Sequence, residues 1–419
     1  MQYDSMSKKV QILRFIPFRK TDIVEMCIDE GSLIPSDCLL FRGFCQKLQN
    51  IYHFQHHEIL ESFKNSYAPK DPDADTRKID LPAAHSEPEE DLSVQLENLL
   101  KKANYEKLSE ADLNNALCQE SIFKIKLKVD FEDFGEVLLY FRGESIKEET
   151  VKKWAGLKSE SIQFVNYDRV LVYIKFADEF SSHKAALRQY RPGSTLLKLF
   201  QHVPKADLEM LFPNTKLQMR LVDKLMIGVP AVVSGGVVLA TKLGATLILV
   251  GSLLGFWVGM HAQPVELDKA ALVTLLVGFG TLGAYLWKQF NNIKNRKLRF
   301  MQTLTKSLYF KNLDNNAGVF HRLLDEAEEE ECKEAILAYY FLLKHNQPIS
   351  QQDLDASIET WFEERWHYAL NFEIEDAVYK LEKLGLVVQE NGFLKAIALK
   401  DAKQQLNHYW SEIMSKESF

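Results

Sequence analysis

"LMIGVPAVVSGGVVLATKLGATLILVGSLLGFWVGMHAQPVELDKAALVTLLVGFGTLGAYLW", residues Leu225–Trp287, is the one strongly apolar block of the chain, and its reading decides the fold. Two runs stand out in it. Leu225–Met260 is broken only by Lys242, and Ala270–Trp287 carries no charge at all. As a single helix the first run would overshoot a hydrocarbon core of about 30 Å, so it must divide, and Pro230 and the pair Gly235-Gly236 are the natural breaks. The spacing predicts a two-helix transmembrane hairpin with spans at about Val238–Met260 and Ala270–Trp287. Lys242 then sits about one turn inside the first span and snorkels to the headgroups. A third span over Leu225–Thr241 is the alternative.

Basic residues set the orientation. Lys288, Lys294, Arg296, Lys297 and Arg299 follow the second run without an intervening acid, and Arg220 and Lys224 precede the first. A hairpin therefore leaves both flanks on the cytoplasmic or matrix side. Gly251, Gly255 and Gly259 repeat every fourth residue, as do Gly280 and Ala284. That spacing lines small residues along one face, where helices approach closely, either within the hairpin or between copies of the chain.

Outward from this block the chain reads as soluble parts of an α+β membrane protein. Residues 1–67 form a helical N-terminal region and 68–93 an acidic, proline-rich linker. Residues 94–205 form a small antiparallel α+β domain, in which Ile125, Leu127 and Val129 alternate with lysines and Val137–Phe141 and Val170–Phe176 are apolar strands. Residues 206–300 hold the juxtamembrane lead-in and the hairpin, and 301–419 a helical and winged-helix-like C-terminal domain. In that last region Ser350 caps a helix, Phe372–Leu384 forms another, and Leu386–Val388 with Phe393–Leu399 supply the wing. Asp325–Glu331 reads as the solvated face of a helix.

Charge excludes some functions. The net charge of -7 gives no pull toward nucleic acid, and between His345 and Lys400 acids outnumber bases two to one, so the winged helix would repel phosphates. The five cysteines show no CxxC spacing, which suits reduced structural thiols. His53 and His57 stand one helical turn apart without a third zinc ligand nearby. Asp71, Asp73 and Asp75 alternate like a calcium loop, but Thr76 and Pro82 occupy the positions that need glycine and glutamate. No phosphate loop, zincin motif or nucleophile elbow occurs, so no catalytic residue, metal ligand or cofactor is assigned. Asp314, Asn315 and Asn316 form a polar cluster that opens a helix as turn and N-cap.

"RFIPFRKTDIV" (Arg14–Val24), "YAPKDPDADT" (Tyr67–Thr76), "PKADLEMLFPNT" (Pro204–Thr215), "LYFKNLDNNAGVF" (Leu308–Phe320) and "KEAILAYYFLL" (Lys333–Leu343) together resemble the domain of unknown function 3754 family, whose eukaryotic members include transmembrane protein 143. The resemblance covers nearly the whole chain. It implies an integral membrane protein with no established activity, mitochondrial in eukaryotes and found also in bacteria. With the first motif at Arg14 there is little room for a transit peptide, so a multi-pass protein of the bacterial inner membrane is expected, and one of the mitochondrial inner membrane is the alternative.

These readings give a membrane-anchored interaction or scaffold protein. Its expected partners are the bilayer, a second copy and an unknown protein, and not nucleic acid. The alternative is a small transporter or channel of oligomerised hairpins with Lys242 lining the path. Lys242, Asp314, Asn315 and Asn316 are the candidate functional residues.

Overall fold

The structure, a computed structural model, describes residues 12–73, 91–109, 111, 126–153, 158–179, 187–218, 244–258 and 269–416. It divides into two compact units.

The first unit contains Met1–Gln119, Asp130–Asn214 and Lys311–Phe419. Its sheet is built on a long hairpin of β4 (Phe134–Lys153) and β5 (Lys158–Phe176). Around it, β2 (Glu106–Lys107), β6 (Thr195–Pro204) and β8 (Asn312–Asn315) complete an antiparallel sheet of order β2-β4-β5-β6-β8. Strand alternation decides what each face covers. Leu171, Tyr173, Leu197 and Leu199 pack with Leu92, Leu96 and Leu99 of α3 (Leu92–Lys102) and with Val319, Phe320 and Leu323 of α6 (Ala317–His345). Val170, Val172, Ile174, Leu196 and Phe200 point the other way and are also buried, and the 3-10 segment Lys205–Leu211 packs against β5 and β6.

A second core lies further along α6. Its later turns, Cys332 to Leu342, are buried on every side, as a helix apolar all round must be. They pack against α1 (Lys20–Asp29) and against α2 (Pro35–Tyr67), which presents Phe41, Phe44, Cys45, Leu48, Ile51 and Tyr52 at three-to-four spacing. The same core takes in α7 (Gln351–Trp366), α8 (Ile374–Lys383) and α9 (Leu399–Lys416). The strands β9 (Ile349–Ser350), β11 (Val387–Glu390) and β12 (Phe393–Ala396) pair antiparallel in the order β11-β12-β9 beside these helices. Ser350 caps α7 by accepting from the Asp353 N–H at 3.1 Å. Because α2 and α6 each run through both cores, the N-terminal helices, the sheet and the C-terminal region pack as one compact unit.

One sequence expectation reverses here. Asp325–Glu331 is not the wet face of a helix, since Glu328, Glu330 and Glu331, with Lys333 and Glu334 beyond them, are buried.

The second unit contains Glu120–Val129 and Thr215–Phe310. β3 (Lys126–Lys128) pairs antiparallel with β7 (Lys216–Gln218), and two helices follow, α4 (Gly244–Trp257) and α5 (Lys269–Lys311). The transmembrane hairpin is not supported, because among the described residues no helix is long and apolar enough to cross a membrane. The 14 described residues of α4 reach about 21 Å. α5 does not end at Trp287 but continues as one helix of 43 residues, bringing Lys288, Lys294 and Arg299 into the same rod. Residues 238–243 of the first expected span, with Lys242 among them, and residues 259–260 lie outside the described residues.

Candidate functional site: an asparagine clasp and a buried ionic belt

The candidate residues Asp314, Asn315 and Asn316 meet at the start of α6. Asp314 and Asn315 end β8, paired with Leu199 and Lys198 of β6, and Asn316 is the residue before the helix. Its side chain makes no capping bond. Nδ2 donates to Asp73 Oδ2 at 2.6 Å instead, and Oδ1 accepts from the Leu197 N–H at 3.2 Å. The Asn316 N–H donates to the Leu197 carbonyl at 2.8 Å. The backbone is at φ 49 and ψ -125, a conformation natural to glycine that costs another residue about 1–3 kcal/mol. The clasp therefore holds a strained corner.

It also draws two distant segments together. Tyr67 Oη donates to the Thr195 carbonyl at 3.0 Å and the Thr195 N–H to the Lys70 carbonyl at 2.8 Å, so Tyr67–Asp73 is strapped along the start of β6. Asp314 lies 3.8 Å from Arg322 Nη1, and a side chain at Gly318 would collide with Asp314 Oδ1. Asn315 is exposed.

About three to five turns along α6 a belt of charge lies between the two apolar cores. Glu326 accepts from Tyr105 Oη at 2.7 Å and faces Arg142 at 3.2 Å. Glu328 meets Lys20 at 2.6 Å and His53 Nδ1 at 2.9 Å. Glu330 pairs with Lys333 at 2.8 Å and accepts from the Ile16 N–H at 3.1 Å. Glu331 lies 3.1 Å from Lys380 Nζ, 3.4 Å from Lys102 Nζ and 3.3 Å from His56 Nε2. Glu334 accepts from Asn104 Nδ2 at 3.1 Å and lies 3.5 Å from Lys380, which also contacts Asp376 one turn back on α8.

Burial and pairing divide the charge. Burial alone would raise Glu331, but Lys380, Lys102 and His56 outweigh it and hold the carboxyl below its ordinary value. Glu334, wholly enclosed, is pushed up to about 8 and keeps its proton at neutral pH despite Lys380. Lys380 is raised, the three surrounding acids overcoming burial, and burial lowers His56, leaving a neutral imidazole. The thiols of Cys27, Cys45 and Cys332 and the phenol of Tyr52 are all raised by burial. Burial and raised pKa make these thiols unreactive, and the ion pairs join α6 to α1, α2, α3 and α8. Among the described residues no three His, Cys, Asp or Glu side chains are grouped to hold a metal. His53 is committed to Glu328, while His57 is exposed.

The helix-packing candidates fall on the second unit. Gly251 and Gly280 are exposed, and a Cβ built on either meets nothing within 4 Å. Gly255 is half-buried, Ala284 is exposed, and Gly259 lies outside the described residues.

The belt was missed in the sequence, although a signal was available. From Ala335 to Leu343 the helix is apolar on every face, so the preceding turn carrying Glu331 and Glu334 had to be enclosed with it.

A family model described as "Protein of unknown function (DUF3754)" matches residues 167–318, from β5 to the first turn of α6. The match includes Asp314, Asn315 and Asn316 and leaves out every residue named in the belt. No solved structure matches the chain.

Proposed function

We propose, with residues 167–318 belonging to the DUF3754 family as the premise, that the protein is a self-associating scaffold whose α5 helices pair between two copies. The observation that carries this reading is a seam of large apolar side chains on α5 that is exposed among the described residues. Leu272, Leu276, Phe279, Leu286 and Phe290, with Gly283 between, alternate steps of four and three residues, the heptad spacing of a helix that pairs with another helix. Leu276 is 72% exposed and Phe290 60%. Gly278 is buried and Thr281, Tyr285 and Gln289 half-buried on the opposite side, so one face is packed and the other open. An exposed stripe of this size marks an interaction surface.

Charge supports a second copy in antiparallel register. No charged residue falls between Ala270 and Trp287, so two such stretches meet without repulsion. Lys288, Lys294 and Arg299 follow, exposed, and antiparallel pairing sends these basic halves in opposite directions. Open space beside Gly280 and Gly283 permits close approach.

Co-expression of two differently tagged full chains tests the reading. Each tag should recover the other, and Leu276→Asp with Phe279→Asp in both copies should end that recovery while the far-UV spectrum is kept. Unchanged recovery from the variants would refute it, as would a monomer that floats with phosphatidylglycerol liposomes, because then lipid covers the face.

A further inference from the structure

Three guanidinium groups of the first unit gather at one carboxylate. Arg142 and Arg169 are register partners on β4 and β5, next to Tyr140 and Leu171 of the face that α6 covers. Arg322 and Glu326 stand one turn apart on α6. Glu326 Oε2 accepts from Tyr105 Oη at 2.7 Å and meets Arg142 Nη2 at 3.2 Å. Oε1 lies 3.8 Å from Arg169 Nε and 3.7 Å from Arg322 Nε, beyond hydrogen-bonding range of both. Those two N–H groups are buried and have no acceptor among the described residues. Arg322 makes no hydrogen bond among them at all, and Asp314 is held 3.8 Å from its Nη1.

Elsewhere in the belt the pairs are closer, 2.6 Å for Lys20 with Glu328 and 2.8 Å for Lys333 with Glu330. Glu326 thus matches Arg142 and leaves Arg169 and Arg322 with surplus charge, which Asp314 offsets only in part. Side-chain exposure rises from 12% at Arg142 to 24% at Arg169 and 38% at Arg322, so the surplus lies where water reaches. Its field extends to His202, which burial, with Lys147, Arg169 and Lys311, lowers below its ordinary value against the pull of Asp168.

We propose that Arg169 and Arg322 bind the dianionic phosphate of a monoester, each guanidinium offering hydrogens to the phosphate oxygens. Such a group brings nearly two negative charges and three acceptor oxygens to two planar forks that match it bidentately. A carboxylate brings one charge and leaves part of the surplus unmatched. The same phosphate occurs on soluble esters and on lipid headgroups. Pairing through α5 plays no part in this site.

The test titrates glycerol 3-phosphate into the full chain at pH 8 by isothermal calorimetry, with ionic strength held constant by sodium chloride. Saturable binding of one ester per chain is expected, about tenfold weaker in Arg322→Gln because a charge-assisted contact is lost. Asp314→Asn removes the acid that competes for Arg322 and should tighten binding several-fold, whereas general damage to the fold would weaken both variants. Vesicles of phosphatidic acid separate the two sources. Retention of the parent that Arg322→Gln abolishes upholds the site with a lipid headgroup, and binding of the free ester without retention upholds it with a soluble one. No saturable heat, equal affinity in the parent and Arg322→Gln, or weaker binding in Asp314→Asn overturns the proposal. Should Arg322→Gln fail to keep the far-UV spectrum, Arg322→Lys, which retains the charge but not the fork, takes its place with the same loss expected.

Discussion

Glu334→Gln isolates one proton in the middle of the ionic belt. The carboxyl is 3% exposed, accepts from Asn104 and is pushed up to about 8 by burial. The unfolded chain releases this proton near the ordinary glutamate value, while the folded chain keeps it to about 8. Between those values the folded state binds the extra proton, so stability falls as pH rises. His56, lowered by burial, works oppositely. Its contribution is complete above the ordinary histidine value of about 6.5 and is lost as pH falls below it. Glu331, held low, contributes stability that disappears only in acid, as pH falls through its folded value. From about pH 6.5 to 8 Glu334 therefore acts alone among the three. Over that interval, at about 1.4 kcal/mol per unit, the parent should lose about 2 kcal/mol. Glutamine keeps the shape and the acceptor oxygen and has no proton to lose, so its curve should be flat there. Urea unfolding followed by far-UV circular dichroism at half-unit steps reads both curves. Parallel curves would refute the reasoning, and so would a variant several kcal/mol weaker than the parent at pH 8, since that result means an ionised Glu334 paired with Lys380.

Other perturbations follow from the same contacts. Lys380→Met strips Glu331 of its closest cation and should cost about 3–5 kcal/mol in urea unfolding, much of it recovered when Glu331→Gln is added. Asn316→Ala leaves the Leu197 N–H and Asp73 without their partner at a strained corner, and a loss of about 2–4 kcal/mol is expected by the same measurement. Asn316→Gly relieves the backbone and should recover about 1 kcal/mol of that loss. Ser350→Ala removes a solvent-facing cap and should lower the unfolding free energy by about 1 kcal/mol.

Some of this was legible in the chain and some was not, for identifiable reasons. The short apolar runs Val137–Phe141 and Val170–Phe176 announced the central strands, because a strand buried on both faces reads as a continuous run rich in β-branched and aromatic residues. The extent of the hairpin was not legible, since charged stretches such as Glu144–Lys153 pair through backbone groups that carry no side-chain signature. Ser350 and the wing strands could be read from caps and turns, yet the fusion of both termini with the sheet could not. That fusion depends on which helices share a core, as α2 and α6 do. Asp325–Glu331 misled because acids on a helix usually face water, and their partners Lys20, His56, Lys102 and Lys380 come from four separate segments. The polar cluster at Asp314–Asn316 was visible as a turn, but its strain and its bond to Asp73 arise only when β8 docks beside β6. On α5 the sequence reading took the small residues at spacing four, Gly280 and Ala284, while the exposed larger neighbours from Leu272 to Phe290 form the seam proposed for pairing.

The most direct measurement of the scaffold reading is sedimentation velocity of the full chain over a wide range of concentration, beside the Leu276→Asp, Phe279→Asp variant. The account predicts that the parent passes from one copy to two as concentration rises and that the variant stays at one throughout. A parent that sediments as a single copy at every concentration, or a variant that pairs as the parent does, would contradict it.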